Sequence, residues 1–381
     1  MLLDERLPES RGDAIGVRLD GGGMTSRISP ALLLIVLALS VALSNTSQAQ
    51  QAAQAERRIA AFKNEYPDLN AILIAMERAH GVFYGALARG RGKVKEADVY
   101  GLLTRRVTEG ALSSRPDPEA AAGYAVLGSR GAEIIRRTHA FHREALAIFA
   151  SLESAERERA LDEAVDRYLS RPDVALPDVP KDMTILYDHP YTSVVIDPGA
   201  FPAGPTRKMA YAKLNGFVWA THWFQLAAQE PLEVFAGAAE RRQGLKVVTD
   251  RFFRKLSSGK PPDAFPTELP LAPSIAPGLV TAHLRAAAII DNLNMMHQVI
   301  ADVLVHPKVD HARTALDQVI AQFTDRRYRV VEVDDWIRMA LRHSIFEQGG
   351  PALGTMTVTD RNSSGHLQHF GAGRAIIPGM R

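Results

Sequence analysis

Apolar residues recur every three or four positions along most of this chain, the spacing of one face of an α-helix. Leu69, Ile72, Leu73, Met76, His80, Phe83 and Leu87 make such a stripe. Pro67 opens that segment and Gly90 and Gly92 close it, the usual order of helix punctuation. After Ser129 a second stripe runs through Ile135, Thr138, His142, Ala145, Phe149 and Leu152. The next segment is charged except for a narrow face of Ala160, Leu161, Ala164, Val165, Tyr168 and Leu169, so it reads as a surface helix.

Residues 207–229 differ, because Phe217, Val218, Trp219, Trp223, Phe224 and Leu226 cover much of the helix circumference. That pattern predicts a buried helix with Trp219, Trp223 and Phe224 in the core. A long helix is expected over 278–306, between Pro277 and Pro307, and shorter ones over 310–324 and from Asp334 onward. No two-residue alternation of any length recurs and no repeat is visible. The expected fold class is all-α: about ten helices packed around the two apolar helices at 207–229 and 278–306.

Two stretches interrupt the period. Residues 172–205 hold seven prolines and 261–277 hold six, and both read as straps over the surface. The first could instead join two helical halves split near 172–206. Residues 352–381, rich in Gly, Ser and Thr, read as a loose tail.

The N-terminus reads as a targeting segment. Ala31–Leu43 is unbroken apolar sequence, shorter than the roughly 20 residues that span a bilayer. Arg27 precedes it and Ser47-Gln48-Ala49 follows, the form of a cleaved secretory signal peptide over 24–49. Residues 1–23 are acidic for such a leader, and Gly21-Gly22-Gly23 sits just before Met24. The true start is therefore expected at Met24, in a bacterial chain. The expectation is export to the periplasm or beyond, with one helical domain over 50–351 and no integral membrane segment in the mature chain.

Composition narrows the chemistry. The chain has 381 residues, 46% hydrophobic and 23% charged, as globular domains do. Residues 1–49 hold 4 basic and 5 acidic groups, leaving 41 against 38, a balance that does not suit nucleic acid. The absence of cysteine excludes disulfides, thiolate metal sites, cysteine nucleophiles and covalent haem. H-E-x-x-H, G-x-S-x-G and Walker A signatures are missing. Ser363-Ser364-Gly365-His366 is similar to one fragment of the acid-phosphatase and haloperoxidase phosphate pocket, but too little chain follows it to complete the site.

Histidines inside helices are the stronger signal. His80, His142, His222 and His297 each lie on or near the apolar side of a different long helix. An unpaired imidazole there costs free energy, and one shared network meets four such costs more readily than four separate partners. Glu77 precedes His80 by three residues, half of the Glu-x-x-His pair of di-iron bundles, although a second pair is missing. The expectation is one interior pocket of the four imidazoles with Glu77 at its edge, able to hold a transition metal or a non-covalent haem. Asn215, Gln225 and Asn294 are expected to line or fill it. Tyr187, Asp188, His189 and Tyr191, in the first proline-rich stretch, are candidates for a pocket mouth. Three function classes follow. The leading one is an exported, non-catalytic binding or accessory protein for a protein or small-molecule partner. The others are a metal- or haem-binding helical protein and an enzyme without a recognisable motif.

Overall fold

The structure is a computed structural model that describes residues 49–90, 93–109, 117–186, 189–190, 211–257, 271–306, 311–342 and 352–353. The signal-peptide and leader expectations, Tyr187, Asp188 and Tyr191, the second proline-rich stretch up to 270 and the tail beyond 353 lie outside the described residues. The chain divides into a short unit, 1–51, and a body, 52–381, which carries all the candidate site residues.

The body is all-α, as the periodicity predicts. Among the described residues there is no strand, only an isolated bridge between Lys181 and Val330. In chain order the helices are α1 (49–65), α2 (Pro67–Gly90), α3 (Glu96–Glu109), α4 (Pro118–Ala125), α5 (Gly128–Ser151) and α6 (Ser154–Leu169). Then come α7 (Ala212–Ala227), α8 (Glu230–Val234), α9 (Ala238–Ser257), α10 (Ala272–Ile275) and α11 (Pro277–Ala282). The last are α12 (Leu284–Val305), α13 (Ala312–Thr324) and α14 (Val333–Arg342).

The long helix expected over 278–306 is two. The chain breaks at His283 (φ −150°, ψ 71°), which separates α11 from α12. In α12 every residue from Ala286 to Val305 is buried. Trp219 is 3% exposed and Trp223 and Phe224 are fully buried, so the aromatic cluster of α7 is core. Asp334 sits in the first turn of the last helix, where a carboxylate favours the helix dipole.

Four helices matter for the site. α2, α5 and α7 all contact α12, which brings one face of each toward a common interior. Glycines set how closely α2 meets α4. A Cβ on Gly123 would overlap the carbonyl oxygen of Gly81, and one on Gly81 would overlap the carbonyl oxygen of Ala120. The backbones touch there because neither residue has a side chain, and Gly81 is the neighbour of His80 in sequence. Asp117 starts α4 by accepting the backbone N–H of Ala120 at 3.1 Å.

The described part of the first proline-rich stretch lies against these helices. Val174, Ala175 and Leu176 are buried, and Asn292 of α12 donates to the carbonyls of Pro177 and Val179, each at 2.9 Å. Lys181 Nζ donates to the carbonyls of Asp325 and Tyr328 at 2.8 and 2.7 Å, tying the stretch to the end of α13. Asp291 of α12 accepts the Ala272 N–H and the Trp336 indole N–H, at 2.9 and 3.0 Å, and so anchors α10 and α14.

Candidate metal centre

His80 from α2, His139 from α5, His222 from α7 and His297 from α12 meet in the interior, at 0%, 2%, 0% and 1% exposure. His297 is at their middle. Its ring centroid is 4.6 Å from that of His80, 5.4 Å from His139 and 5.3 Å from His222. His80 stacks almost parallel to His222 at 5.6 Å and lies 6.0 Å from His139. One nitrogen each of His80, His139 and His297 lies within 4.8 Å of the other two.

Some of these nitrogens are committed to hydrogen bonds and others are not. His80 donates from Nδ1 to the Met76 carbonyl at 2.9 Å, one turn back on its own helix. Nδ1 of His297 shares a 3.2 Å hydrogen bond with Nε2 of His222. The Nε2 atoms of His80, His139 and His297, and Nδ1 of His222, are buried and have no hydrogen-bond partner. In the tautomer where His297 donates from Nδ1 to His222, His80 and His297 each keep an uncommitted Nε2 lone pair. That is the arrangement of metal-ligating histidines, whose second nitrogen is fixed by a hydrogen bond.

Burial makes these imidazoles neutral. It pushes His80 down to about 4, against the slight upward pull of the Met76 carbonyl. His139, His222 and His297 are held well below the ordinary histidine range, first by burial and then by their neighbouring imidazoles. Neutral imidazole is the form that binds a metal ion. Among the described residues no carboxylate is one of the groups acting on the four rings. An ion here would be held by uncharged ligands alone.

Distances test whether the residues could hold an ion. Metal–nitrogen bonds of about 2.0–2.1 Å at tetrahedral angles put ligand nitrogens about 3.3 Å apart. The three nitrogens lie within 4.8 Å of one another, so closing on an ion moves any pair by at most about 1.5 Å, within reach of small ring rotations.

The expected four imidazoles are corrected in one member. His142 is buried but not in the group; its Nε2 donates to the Gln225 carbonyl at 3.0 Å. His139 takes its place. Three residues along a helix turn a side chain by about 300°, so the two histidines point roughly 60° apart. Both lie on the buried arc of α5, which spans Ile134, Ile135, Thr138, His139, Phe141, His142 and Ala145. An arc that wide does not reveal which of them faces the neighbouring helices.

Glu77 also lies outside the group. It forms an ion pair with Arg143, both side chains 22% exposed, while Tyr124 donates its hydroxyl to the Glu77 carbonyl. The Glu77–Arg143 pair joins α2 to α5, one turn before His80 and one turn after His139. Its place is that of a brace rather than a ligand.

The amides are buried in α7 and α12. Asn215, Gln225 and Asn294 are 1%, 3% and 3% exposed. Both side-chain polar atoms of Asn215 and Asn294, and Oε1 of Gln225, have no partner. None of the three hydrogen-bonds through its side chain to an imidazole of the group, although the Gln225 backbone carbonyl receives His142. His189 bonds to the Leu186 carbonyl at 2.8 Å and lies 3.7 Å from Asp302 of α12.

Tyr84 is a further residue at the centre that the stripe of α2 did not single out. It follows His80 by one turn, its ring is edge-on to His297 at 6.0 Å and 6.5 Å from His80, and it is fully buried. The spacing of four from His80 is the signal that could have found it. No protein family matches the chain, and neither a curated protein nor a solved structure matches it.

Proposed function

We propose that this chain is an exported helical protein that binds one transition-metal ion through Nε2 of His80, His139 and His297, with His222 positioning His297. The observation that carries the reading is three buried, partnerless Nε2 atoms in a group whose ligand nitrogens lie within 4.8 Å of one another. A buried polar atom without a partner costs about 1–3 kcal/mol, and a metal ion removes that cost from three at once. An all-imidazole set suits zinc, copper, iron or nickel rather than magnesium or calcium. Haem fits less well, because a macrocycle needs a flat slot between its axial ligands and the ring of His297 is crowded by the other three at 4.6–5.4 Å.

Export rests on the sequence of residues 24–49, and no helix among the described residues is long and apolar enough to cross a membrane. The accessory-protein reading gains little from the surface. Among the described residues the exposed large hydrophobic side chains are Val234 and Val330, not a contiguous patch. A recess of about 280 Å³ lined by Asp182, Val331, Asp335, Arg338 and Met339 contains none of the candidate residues.

The test is equilibrium dialysis of chelator-stripped protein against zinc and copper, with elemental analysis. One ion per chain, lost in His80→Ala, is the expected result. Equal uptake by the wild type and a His80→Ala, His139→Ala, His297→Ala triple variant would refute the reading.

A further inference from the structure

The charge of the donor set bears on which ion the centre takes. His80, His139 and His297 are 0%, 2% and 1% exposed, so an ion among their nitrogens lies in the interior. Among the described residues no carboxylate oxygen joins the group. Glu77, one turn before His80, is paired with Arg143. The chain has no cysteine, so no thiolate can take part. Neutral nitrogens leave the charge of an ion whole. The cost of burying an ion grows with the square of its charge, so a divalent ion meets about four times the cost of a monovalent one of similar size.

The number of donors points the same way. Zinc takes four ligands, and with three protein donors its fourth position goes to water or substrate. Among the described residues no fourth histidine nitrogen joins the three. His222 meets His297 at Nδ1, 3.2 Å away, rather than joining the ligand nitrogens. Copper is at home with imidazole. As copper(I) it has a filled d shell, carries a single charge and is satisfied by two or three nitrogen donors.

Resting on the metal-binding reading above, we propose that this centre selects copper(I) over divalent zinc, and that Nε2 of His80, His139 and His297 hold it three-coordinate. The preference comes from the neutral, buried, three-membered donor set. Placing a carboxylate in that set should therefore weaken it.

The test is anaerobic competition for each ion, with bathocuproine disulfonate against copper(I) and a pyridylazo dye against zinc. The wild type should bind one copper(I) per chain at least a hundredfold more tightly than zinc. X-ray absorption of the copper(I) form should show three nitrogens and no fourth ligand. His139→Glu, with its fold checked by circular dichroism, should narrow the copper(I)-to-zinc affinity ratio at least tenfold. Zinc bound as tightly as copper(I), or a four-coordinate copper(I) spectrum, would overturn the proposal and leave the metal site standing. So would an unchanged ratio in folded His139→Glu. If that variant does not fold, the two wild-type measurements decide. A wild type that binds neither ion would overturn both readings, and the dialysis described above would show it first.

Discussion

Replacing His139 with leucine separates a metal ligand from a structural histidine, because the two roles give opposite signs. His139 is 2% exposed and its Nε2 has no partner. A buried polar group left unsatisfied costs about 1–3 kcal/mol, which leucine, near histidine in volume, removes. The change of shape costs less than about 1.5 kcal/mol. In chelator the variant should therefore be between neutral and about 2 kcal/mol more stable than the wild type. With free ion at about 100 times its dissociation constant the wild type gains about 2.7 kcal/mol. A variant weakened about a hundredfold gains only about 0.4 kcal/mol at the same concentration. The order of stabilities should narrow or reverse when ion is added. The assay is urea unfolding of both proteins, with chelator and with zinc, read by far-ultraviolet circular dichroism. A variant that loses about 2 kcal/mol or more in chelator, beside a wild type that zinc does not stabilise, would show that His139 serves packing and the centre is not a metal site.

Other expectations rest on the same geometry. Glu77→Ala, which leaves the half-buried Arg143 without its partner, should cost about 1–3 kcal/mol in urea unfolding with helical content unchanged; a loss within error would remove the brace. Gly123→Ala should cost about 1–3 kcal/mol in urea unfolding, since its Cβ would force α4 away from the Gly81 carbonyl. Trp223→Ala should cost about 3–5 kcal/mol, and a loss within error would contradict its full burial. Burial pushes Glu230 up to about 8 despite N–H bonds from Gly278 and Leu279. The folded state then holds a proton that the unfolded state releases near 4.5, so this group's contribution is complete below that pH and lost as pH rises toward 8. The slope is at most about 1.4 kcal/mol per pH unit, and Glu230→Gln should flatten it between about pH 5 and 8.

Much of the fold was legible in the sequence because helical burial writes a period. The stripe through Leu69, Met76 and Phe83 locates α2 and turns His80 inward, and the apolar girth of α7 places Trp223 in the core with His222 beside it. The limits have physical causes too. The buried arc of α5 is wide enough to hold both His139 and His142, so periodicity alone cannot choose between them. Glu-x-x-His at 77–80 suggested a ligand, yet Glu77 found Arg143 on α5, a partner no local spacing announces. The break at His283 carries no proline or glycine of its own. Tyr84 reads as an ordinary core aromatic until its ring contacts with His80 and His297 are known.

X-ray absorption at the metal edge of the loaded protein tests the centre most directly. The expected spectrum has at least three imidazole nitrogens at about 2.0–2.1 Å, with their outer-ring scattering, and loses that shell in His297→Ala. A first shell of carboxylate or water oxygens alone, or an imidazole shell untouched by His297→Ala, would contradict it.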